Sequence, residues 1–305
     1  MVAVSQTTPF AGHGIEAAGP KPRQLTLPRF GVYVFLFVAA LFFLLPVYVM
    51  IVTSLKPLAE IRETNVLMPP MAPTLAAWWE AWNSACTGLK CDGVKVGFLN
   101  SVKIVVPTVI LSVLIGSLNG YVMSFWRFKG ANLLFATLMF GAFLPIQVVL
   151  YPIVRLWSAM GLFGSLPGII LIHVIFGMPI VTLMYRNFYA ALPIEIFKAA
   201  RVDGAGFWRI FGHVFLPMSG PITVVVVIWQ VTGVWNDYIM GLTFGGLSNS
   251  PMTVQLNNIV GSQTGERFFN VEMAATMLTA LVPLVVYMVS GRWFVRGITA
   301  GAVKG

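Results

Sequence analysis

The stretch KAARVDGAGFWRIFGHVFLP, residues 198–217, lies in the polar segment between the fourth and fifth apolar stretches of a very hydrophobic chain. Ala199 and Ala200 would leave a shallow groove on a helix, and glycine commonly ends helices. The stretch therefore predicts a helix that stops at Gly204 and a second helix that ends before Pro217. Such a pair suits docking into a cleft of another protein better than it suits chemistry. An amphipathic helix pair lying on the membrane surface is the alternative.

Composition places the chain in a membrane. Of its 305 residues 58% are hydrophobic and only 10% are charged, which is too much apolar surface for one soluble core. Apolar runs of about 20 residues mark membrane-spanning helices. The sequence predicts an all-α integral membrane protein with six transmembrane helices, near Phe30–Thr53, Phe98–Ser124, Leu133–Val154, Leu166–Tyr185, Pro221–Phe244 and Val271–Phe294.

The excess of basic residues indicates topology rather than nucleic-acid binding. If the spans are threaded alternately, twelve of the nineteen Lys and Arg but only three of the ten Asp and Glu fall on one face of the membrane. By the positive-inside rule that face is cytoplasmic. The prediction gives a cytoplasmic tail (1–29), a transmembrane domain (30–294) and a cytoplasmic C-terminal tail (295–305). Within the domain, 54–97 and 245–270 are external loops and 186–220 is a cytoplasmic loop.

The first span has a competing interpretation as a signal peptide, because a basic tail precedes it. Phe30–Thr53 is 24 residues long, longer than the apolar region of a signal peptide, and no small-x-small cleavage site follows. We therefore expect it to remain as an anchor. The tail before it lacks apolar periodicity and is expected to be disordered at least to Pro20.

The first external loop contains two features. Cys86 and Cys91 lie five positions apart with Gly88 between them, and in an oxidising compartment they could form a disulfide. Two free thiols are the alternative, and a metal site is disfavoured because no histidine or third cysteine is near. Residues 75–82, LAAWWEAW, predict a helix whose tryptophans anchor it in the outer leaflet, or alternatively a platform for sugar stacking.

Asp237 is the main ionisable residue within a predicted span. A charge there is costly unless it faces water, a partner or a polar cavity. The surrounding segment predicts a translocation path or gate formed by Trp235, Asn236, Asp237 and Tyr238. A helix-end carboxylate that reaches the aqueous surface is the alternative.

The sequence indicates no catalytic or metal site. His13, His173 and His213 are far apart and lack metal-ligand spacing. Neither G-x-S-x-G nor G-x4-G-K-[ST] occurs, so no nucleophile elbow or nucleotide-binding loop is predicted. A transporter driven by ATP would need its ATPase on separate chains.

The stretch matches the spacing E-A-A-x3-G-x9-I-x-L-P. Ala199 and Ala200 are followed after three residues by Gly204, and after nine more by Val214, with Leu216 and Pro217 at the end. This spacing resembles the signature loop of ABC importer permeases, with Lys198 in place of the family's glutamate. From Gly31 to Gly305 the chain resembles the carbohydrate-type permeases related to the smaller membrane subunit of maltose transporters. The segment 235–238 and the ending RGITAGAVKG, residues 296–305, carry the remaining likeness.

The resemblance implies the type I ABC importer permease fold in the inner membrane of a bacterial cell. It implies as partners a second related permease, a homodimer of ATP-binding subunits, a periplasmic or extracellular sugar-binding protein that meets residues 245–270, a sugar substrate and membrane lipid, with no nucleic acid. No cofactor would bind this chain, since ATP and Mg would be bound by the ATPase subunits. The ATPase-coupling residues would be Glu195, Lys198, Ala199, Ala200, Arg201, Asp203, Gly204 and Pro217, and the C-terminal ATPase contact would involve Arg296, Thr299, Gly301 and Lys304.

The resemblance implies as cargo a monosaccharide such as glucose or mannose. The features that resemble this branch of the family are the external loop with its two cysteines and the segments LNNIV (256–260) and NVEMAA (270–275). Di- or oligosaccharide glucosides are the alternative. A secondary transporter would show inverted repeats and several mid-membrane ionisable residues, which this sequence does not display. A membrane scaffold without transport activity would not need the docking element.

Overall fold

A computed structural model describes residues 27–88, 90–126, 128–261 and 267–302, with side chains as far as Gly291. It divides the chain into two compact units, residues 1–48 and 49–305. The first unit contains, among the described residues, only the beginning of the first helix. The second contains everything discussed below, including the last residues of that helix.

The described residues form helices and connecting turns without a strand, as the all-α prediction requires. One π-helical turn, Phe211–Phe215, follows the ninth helix. The helices are α1 Leu27–Ser54, α2 Leu58–Glu63, α3 Ala76–Asn83, α4 Lys95–Phe125, α5 Ala131–Ala142, α6 Ile146–Ala159, α7 Leu166–Ala190, α8 Ile194–Val202, α9 Phe207–Ile210, α10 Leu216–Met218, α11 Gly220–Asn236, α12 Ile239–Phe244, α13 Met252–Gly261 and α14 Phe269–Ala302.

Four of these helices are long and apolar enough to cross a membrane: α1, α4, α7 and the part of α14 from Phe269 to Gly291. They coincide with the first, second, fourth and sixth predicted spans. Two further candidates are bent pairs, α5 with α6 at 103° and the segment Phe207–Met218 with α11 at 75°. The structure therefore has four to six candidate spans within the described residues.

The third and fifth predicted spans differ from the structure. The third is broken between Ala142 and Ile146, where Pro145 has no N–H to continue the helix. The fifth, predicted as Pro221–Phe244, is interrupted between Asn236 and Ile239, because Asp237 adopts an extended conformation with φ −66° and ψ 135°. The 75° bend of the second pair lies before this span, at Ser219. Hydropathy measures how apolar a segment is but does not register where its backbone turns, which explains both differences.

Small residues allow α4 and α7 to pack closely. Gly116 and Gly120 are buried one helical turn apart in α4, an arrangement that lets helix backbones approach each other in membranes. A Cβ atom at Gly120 would lie 2.6 Å from the Cβ of Tyr185 and 2.8 Å from the backbone N of Arg186. Close packing of this pair aligns the ends of both helices, on which α8 is seated.

The predicted tryptophan helix forms as α3, but its three rings face different surroundings. The Trp78 Nε1 donates a hydrogen bond to Ser54 Oγ at 3.1 Å. The Trp82 ring meets Phe98 edge to face at 5.5 Å, and Phe98 meets Trp235 at 5.6 Å. Only Trp79 is largely exposed, at 73%. Two of the three rings therefore attach α3 to the rest of the protein and are not available as a shared stacking platform.

Candidate coupling surface and polar helix break

Helix α8 ends as its sequence predicts. It runs from Ile194 to Val202, and Gly204 follows with φ +75°, in the left-handed region that favours glycine. The N–H of Ala205 donates to the carbonyl of Ala200 at 3.0 Å, and the N–H of Gly204 donates to that of Arg201 at 3.1 Å. These two bonds form a Schellman motif, which turns the chain sharply into α9.

The two faces of α8 differ. One face of α8 is exposed, and so are two residues that follow the helix. Together they form what we call the coupling surface, which consists of Glu195, Lys198, Ala199 and Val202 of α8 and of Asp203 and Trp208 after it. Val202 is 87% exposed and Trp208 is 67% exposed. The two signature alanines lie on different faces, because Ala199 is exposed whereas Ala200 is half-buried against the helices beneath. A large apolar side chain left in solvent beside small residues is typical of a surface that another protein covers.

An aromatic cluster lies under α8 and holds it in place. We call it the Tyr121 cluster, and it consists of Tyr121, Phe125, Trp126, Tyr189, Phe197, Phe207, Phe211 and Phe215.

The cluster connects five elements, namely α4, α7, α8, α9 and the π-helical turn. The Phe197 ring of α8 stacks on Phe125 of α4 with centroids 5.2 Å apart and 13° between planes. Phe215 is fully buried and lies 4.3 Å from Phe125. Tyr121 donates a hydrogen bond from its hydroxyl to the carbonyl of Phe207 at 3.3 Å. The guanidinium of Arg201 lies 5.3 Å above the Trp126 ring, within cation–π range. Helix α8 is thus joined to α4 and α9 by dense side-chain packing.

The second helix of the coupling loop is predicted to end before Pro217, but it continues past this residue. The chain passes from α9 through the π-helical turn Phe211–Phe215 into α10, which continues to Met218. The N–H of Leu216 donates to the carbonyl of Phe211 five residues earlier. Pro217 has no N–H and its ring would crowd an α-helical turn, so a locally widened turn accommodates it.

Asp237 occupies a break between α11 and α12. Its Oδ2 accepts a hydrogen bond from the N–H of Gly241 at 2.9 Å and lies 3.9 Å from Nε2 of His173 on α7. Its backbone carbonyl accepts a hydrogen bond from Thr253 Oγ1 at 2.6 Å. The side chain is 20% exposed, so the carboxylate is held by neighbouring groups while part of it reaches the surface.

The other three residues of the predicted gate point to different surroundings. Trp235 is buried and donates from Nε1 to the carbonyl of Thr279 at 3.0 Å. Asn236 is exposed. The hydroxyl of Tyr238 accepts a hydrogen bond from Asn257 Nδ2 on α13 at 3.0 Å. The segment therefore connects three regions through one irregular turn, which we call the Asp237 break (residues 235–238).

Cys86 and Cys91 are joined in a disulfide that closes a short loop before α4. The N–H of Thr87 donates to the carbonyl of Lys90 at 2.8 Å within this loop. The C-terminal contact residues are less fully described. Arg296, Thr299 and Gly301 belong to α14, but their side chains lie outside the described part, and Lys304 lies outside the described residues altogether.

Sequence reasoning missed His173 and the Tyr121 cluster. His173 carries no local signal, because its partner Asp237 is 64 residues away. The aromatic residues did carry one, since Phe207, Phe211 and Phe215 recur every four residues and so lie on one helix face. Among the described residues, no group of three or more His, Cys, Asp or Glu side chains could hold a metal.

The profile of one protein family, the "binding-protein-dependent transport system inner membrane component", matches residues 106–300. The chain belongs to this family. Members of it are non-catalytic permease subunits of ABC transporters, in which ATP hydrolysis takes place on separate subunits. The matched range includes both the coupling surface and the Asp237 break.

Individual relatives agree with this membership. A probable ABC transporter permease of Pyrococcus horikoshii is 39% identical over 59% of this chain and 65% of its own length. An osmoprotective compounds uptake permease of Synechocystis is 35% identical over 71% of this chain and 72% of its own length. A glucose import system permease of Saccharolobus solfataricus is 30% identical over 90% of this chain and 95% of its own length.

A solved structure shows the same fold. It belongs to a bacterial ABC transporter involved in the import of the acidic polysaccharide alginate. The TM-score is 0.75 at 19% identity, and the match covers 87% of this chain and 96% of that one. The permease therefore has the fold of an ABC importer permease.

Proposed function

We propose that this permease is the membrane-spanning subunit of an ATP-driven sugar importer. It forms half of the translocation path together with a second related permease, and it couples closure of a homodimer of ATP-binding subunits to alternating access. A periplasmic or extracellular sugar-binding protein delivers the cargo. The complex lies in the inner membrane of a bacterial cell, with both termini of this chain in the cytoplasm.

The observation that carries this proposal is the contrast between the two faces of α8. Its exposed face combines small Ala199 with the exposed apolar side chain of Val202, and Trp208 of α9 adds a second exposed apolar side chain to the coupling surface. Its inner face is fixed to the membrane helices through Phe197 and the rest of the Tyr121 cluster. When an ATPase cleft binds the outer face of α8, a movement of that cleft can therefore displace α4 and α7 together with α8.

The mechanism follows from population shift. ATP binding favours the closed ATPase dimer, and whichever permease conformation fits that dimer becomes more populated. Because α8 moves as a rigid body with its cleft, closure favours outward opening and hydrolysis restores the inward state. The C-terminal residues Arg296, Thr299, Gly301 and Lys304 provide a second contact with the ATPase dimer.

The Asp237 break is the proposed gate of the path. A helix interrupted at a partly exposed carboxylate, with the His173 imidazole 3.9 Å away, supplies polar groups where an uninterrupted apolar helix would supply none. Irregular backbone at membrane depth is tolerated where it lines a cavity or is buried in protein. A hydroxyl-rich cargo needs such groups, because it must exchange hydrogen bonds with water for hydrogen bonds with the path.

The names of relatives support a sugar cargo. Besides the glucose import permease, they include an alpha-glucoside transport permease of Rhizobium meliloti at 34% identity and a diacetylchitobiose uptake permease of Streptomyces coelicolor at 28% identity. We favour a monosaccharide such as glucose or mannose, because the external loop with Cys86 and Cys91 and the segments 256–260 and 270–275 resemble the glucose and mannose importers. Di- or oligosaccharide glucosides are the second candidate, favoured by the alpha-glucoside relative.

A glycine pair tests the coupling proposal. Gly204 and Gly206 both face open space, but only Gly204 has a positive φ, at +75°. Gly204→Arg should abolish co-purification of the ATPase because it reshapes the turn that presents α8. Gly206→Arg adds the same bulk and charge without that strain and should retain more of the ATPase. Equal ATPase binding in wild type and both variants would contradict the coupling assignment.

Ala199→Asp is the second probe of the coupling surface. This side chain is exposed, so the substitution changes the docking face without disturbing the Tyr121 cluster. We expect loss of ATPase binding with unchanged thermal stability. Cargo is tested separately, by uptake of labelled glucose, mannose and maltose into vesicles that contain the complete transporter and its binding protein.

A further inference from the structure

An open cleft of about 930 Å³ lies between the disulfide loop and helix α13 with the residues that precede it. Every described residue that lines it falls in residues 87–96 or 247–261, inside the two predicted external loops. Its size is within the range of about 300–1,000 Å³ for small-molecule sites. The cleft shares no residue with the coupling surface.

The walls of the cleft are held in place. One wall is the loop closed by the Cys86–Cys91 disulfide. The other wall is tied to α4, because Asn100 Nδ2 donates to the carbonyls of Ser248 and Ser250 at 3.0 and 3.2 Å. The N–H of Met252 donates to Ser101 Oγ at 2.9 Å. A site with both walls fixed loses little entropy when a ligand binds.

The lining groups suit a neutral polyhydroxyl molecule. The cleft presents the amides of Gln255 and Asn258, one carboxylate and one ammonium group of opposite charge, and several hydroxyls, from Asp92, Lys90, Thr87, Ser248 and Ser250. Carboxylates and amides offer paired acceptors, or a donor beside an acceptor, that neighbouring sugar hydroxyls can match. The side chains of Asp92 and Asn258 form no hydrogen bond or ion pair with any residue in the described part of the chain.

Gln255 supplies an independent indication of a ligand. Its side chain is only 8% exposed, and its Oε1 atom is buried without a hydrogen-bond partner among the described residues. A buried polar atom left unpaired costs about 1–3 kcal/mol. A ligand that donates a hydroxyl hydrogen to it would remove this cost.

Hydrogen bonds also connect the cleft to the Asp237 break. Asn257, another lining residue, donates from Nδ2 to the Tyr238 hydroxyl at 3.0 Å. Thr253, one helical turn earlier in α13, bonds the carbonyl of Asp237. Helix α13 therefore links the cleft on one side to the proposed gate on the other.

We propose that this cleft is an external saccharide-binding subsite, which holds the cargo after it leaves the binding protein and before it passes the Asp237 break. This inference rests on the proposed sugar-import function and extends it. Gln255, Asn258 and Asp92 bind the hydroxyl groups, and the disulfide loop fixes the distance between the two walls.

The test uses the purified complete transporter in lipid nanodiscs without its sugar-binding protein. Binding of labelled glucose, mannose and maltose is measured by equilibrium dialysis for wild type and for the double variant Asp92→Ala/Asn258→Ala. Neither residue has a structural bond to lose, so folding should be unaffected. We expect sugar binding about tenfold weaker, the equivalent of about 1.4 kcal/mol of lost hydrogen bonding.

A second variant and a control sharpen the result. Ser248→Trp should block the cleft sterically and abolish binding, while Asn132→Ala removes an exposed amide of α5 outside the cleft and should bind like wild type. Unchanged sugar affinity in both cleft variants would overturn the subsite. So would loss of binding-protein capture with sugar affinity intact, which would make the cleft a protein-docking surface. A wild-type transporter that imports none of the three sugars would instead refute the proposed function itself.

Discussion

The Tyr121 cluster and the Asp237 break lie in the same bundle but are built in opposite ways. The cluster is dense and aromatic, with Phe215 and Tyr121 fully buried and rings in contact across five elements. The break is polar and irregular, with a partly exposed carboxylate between two helices. Close-packed interiors transmit displacement, whereas a polar interruption offers groups to a cargo. In the proposed mechanism, force enters at the first region and cargo passes at the second.

The largest loss of stability should come from a substitution that prevents α4 and α7 from packing closely beneath the Tyr121 cluster. Gly120→Val would place side-chain atoms where α7 already lies, with a Cβ 2.6 Å from that of Tyr185. Overpacking of this kind costs about 3 kcal/mol or more when backbone must move. We expect little folded protein after purification in detergent.

Gly141→Val is the matched control for that variant, because a Cβ at Gly141 meets nothing within 4 Å. Its yield and melting temperature should stay close to wild type. Equal melting temperatures for the two glycine variants would show that α4 and α7 are not as closely packed as described here.

Phe215→Ala should destabilise the protein by about 3 kcal/mol, because the ring is fully buried and its removal leaves a cavity in the cluster. Thermal unfolding in detergent measures this effect. The same variant should also uncouple transport, with sugar uptake falling more than ATPase binding.

Trp208→Ala is the comparison on the exposed side. At 67% exposure, the ring should contribute less than about 0.5 kcal/mol to stability, but its loss should weaken ATPase capture. A Trp208→Ala variant that melts early and still captures the ATPase would reverse the assignment of rigid and docking faces.

Removing the disulfide with Cys86→Ala/Cys91→Ala should cost about 2 kcal/mol, the value expected for a short closed loop. Mass spectrometry of unreduced peptides should find the two cysteines linked in the wild-type protein. Complete alkylation of both thiols before reduction would refute the prediction, and with it the fixed wall of the cleft.

Asp237→Asn should lower stability by only about 1 kcal/mol, because the amide oxygen can still accept from the N–H of Gly241. Sugar uptake should nevertheless fall about tenfold, since the charge at the gate is lost. Glu80→Gln, the same change on the exposed carboxylate of α3, should leave uptake unchanged. Normal uptake by Asp237→Asn would reduce this residue to a helix cap.

Features that depend on neighbouring residues were predictable from the sequence. Apolar length located four single-helix spans, and Gly204 marked the end of α8 because only glycine adopts its φ without strain. The spacing from Ala199 to Pro217 was sufficient to indicate the family, since a docking element is local in the chain. Even here the local rule failed at Pro217, where a π-helical turn carries the helix through to Met218.

The sequence alone thus determined the membrane class, the helical content and the position of the coupling helix, because hydropathy and backbone preference act over a few residues. Only the tertiary structure decided that Ala199 faces out and Ala200 faces in, that His173 approaches Asp237, and that two external loops enclose a cleft. These relations join residues as far apart as Asn100 and Ser250. They depend on which helix faces pack together, a property that no local pattern encodes.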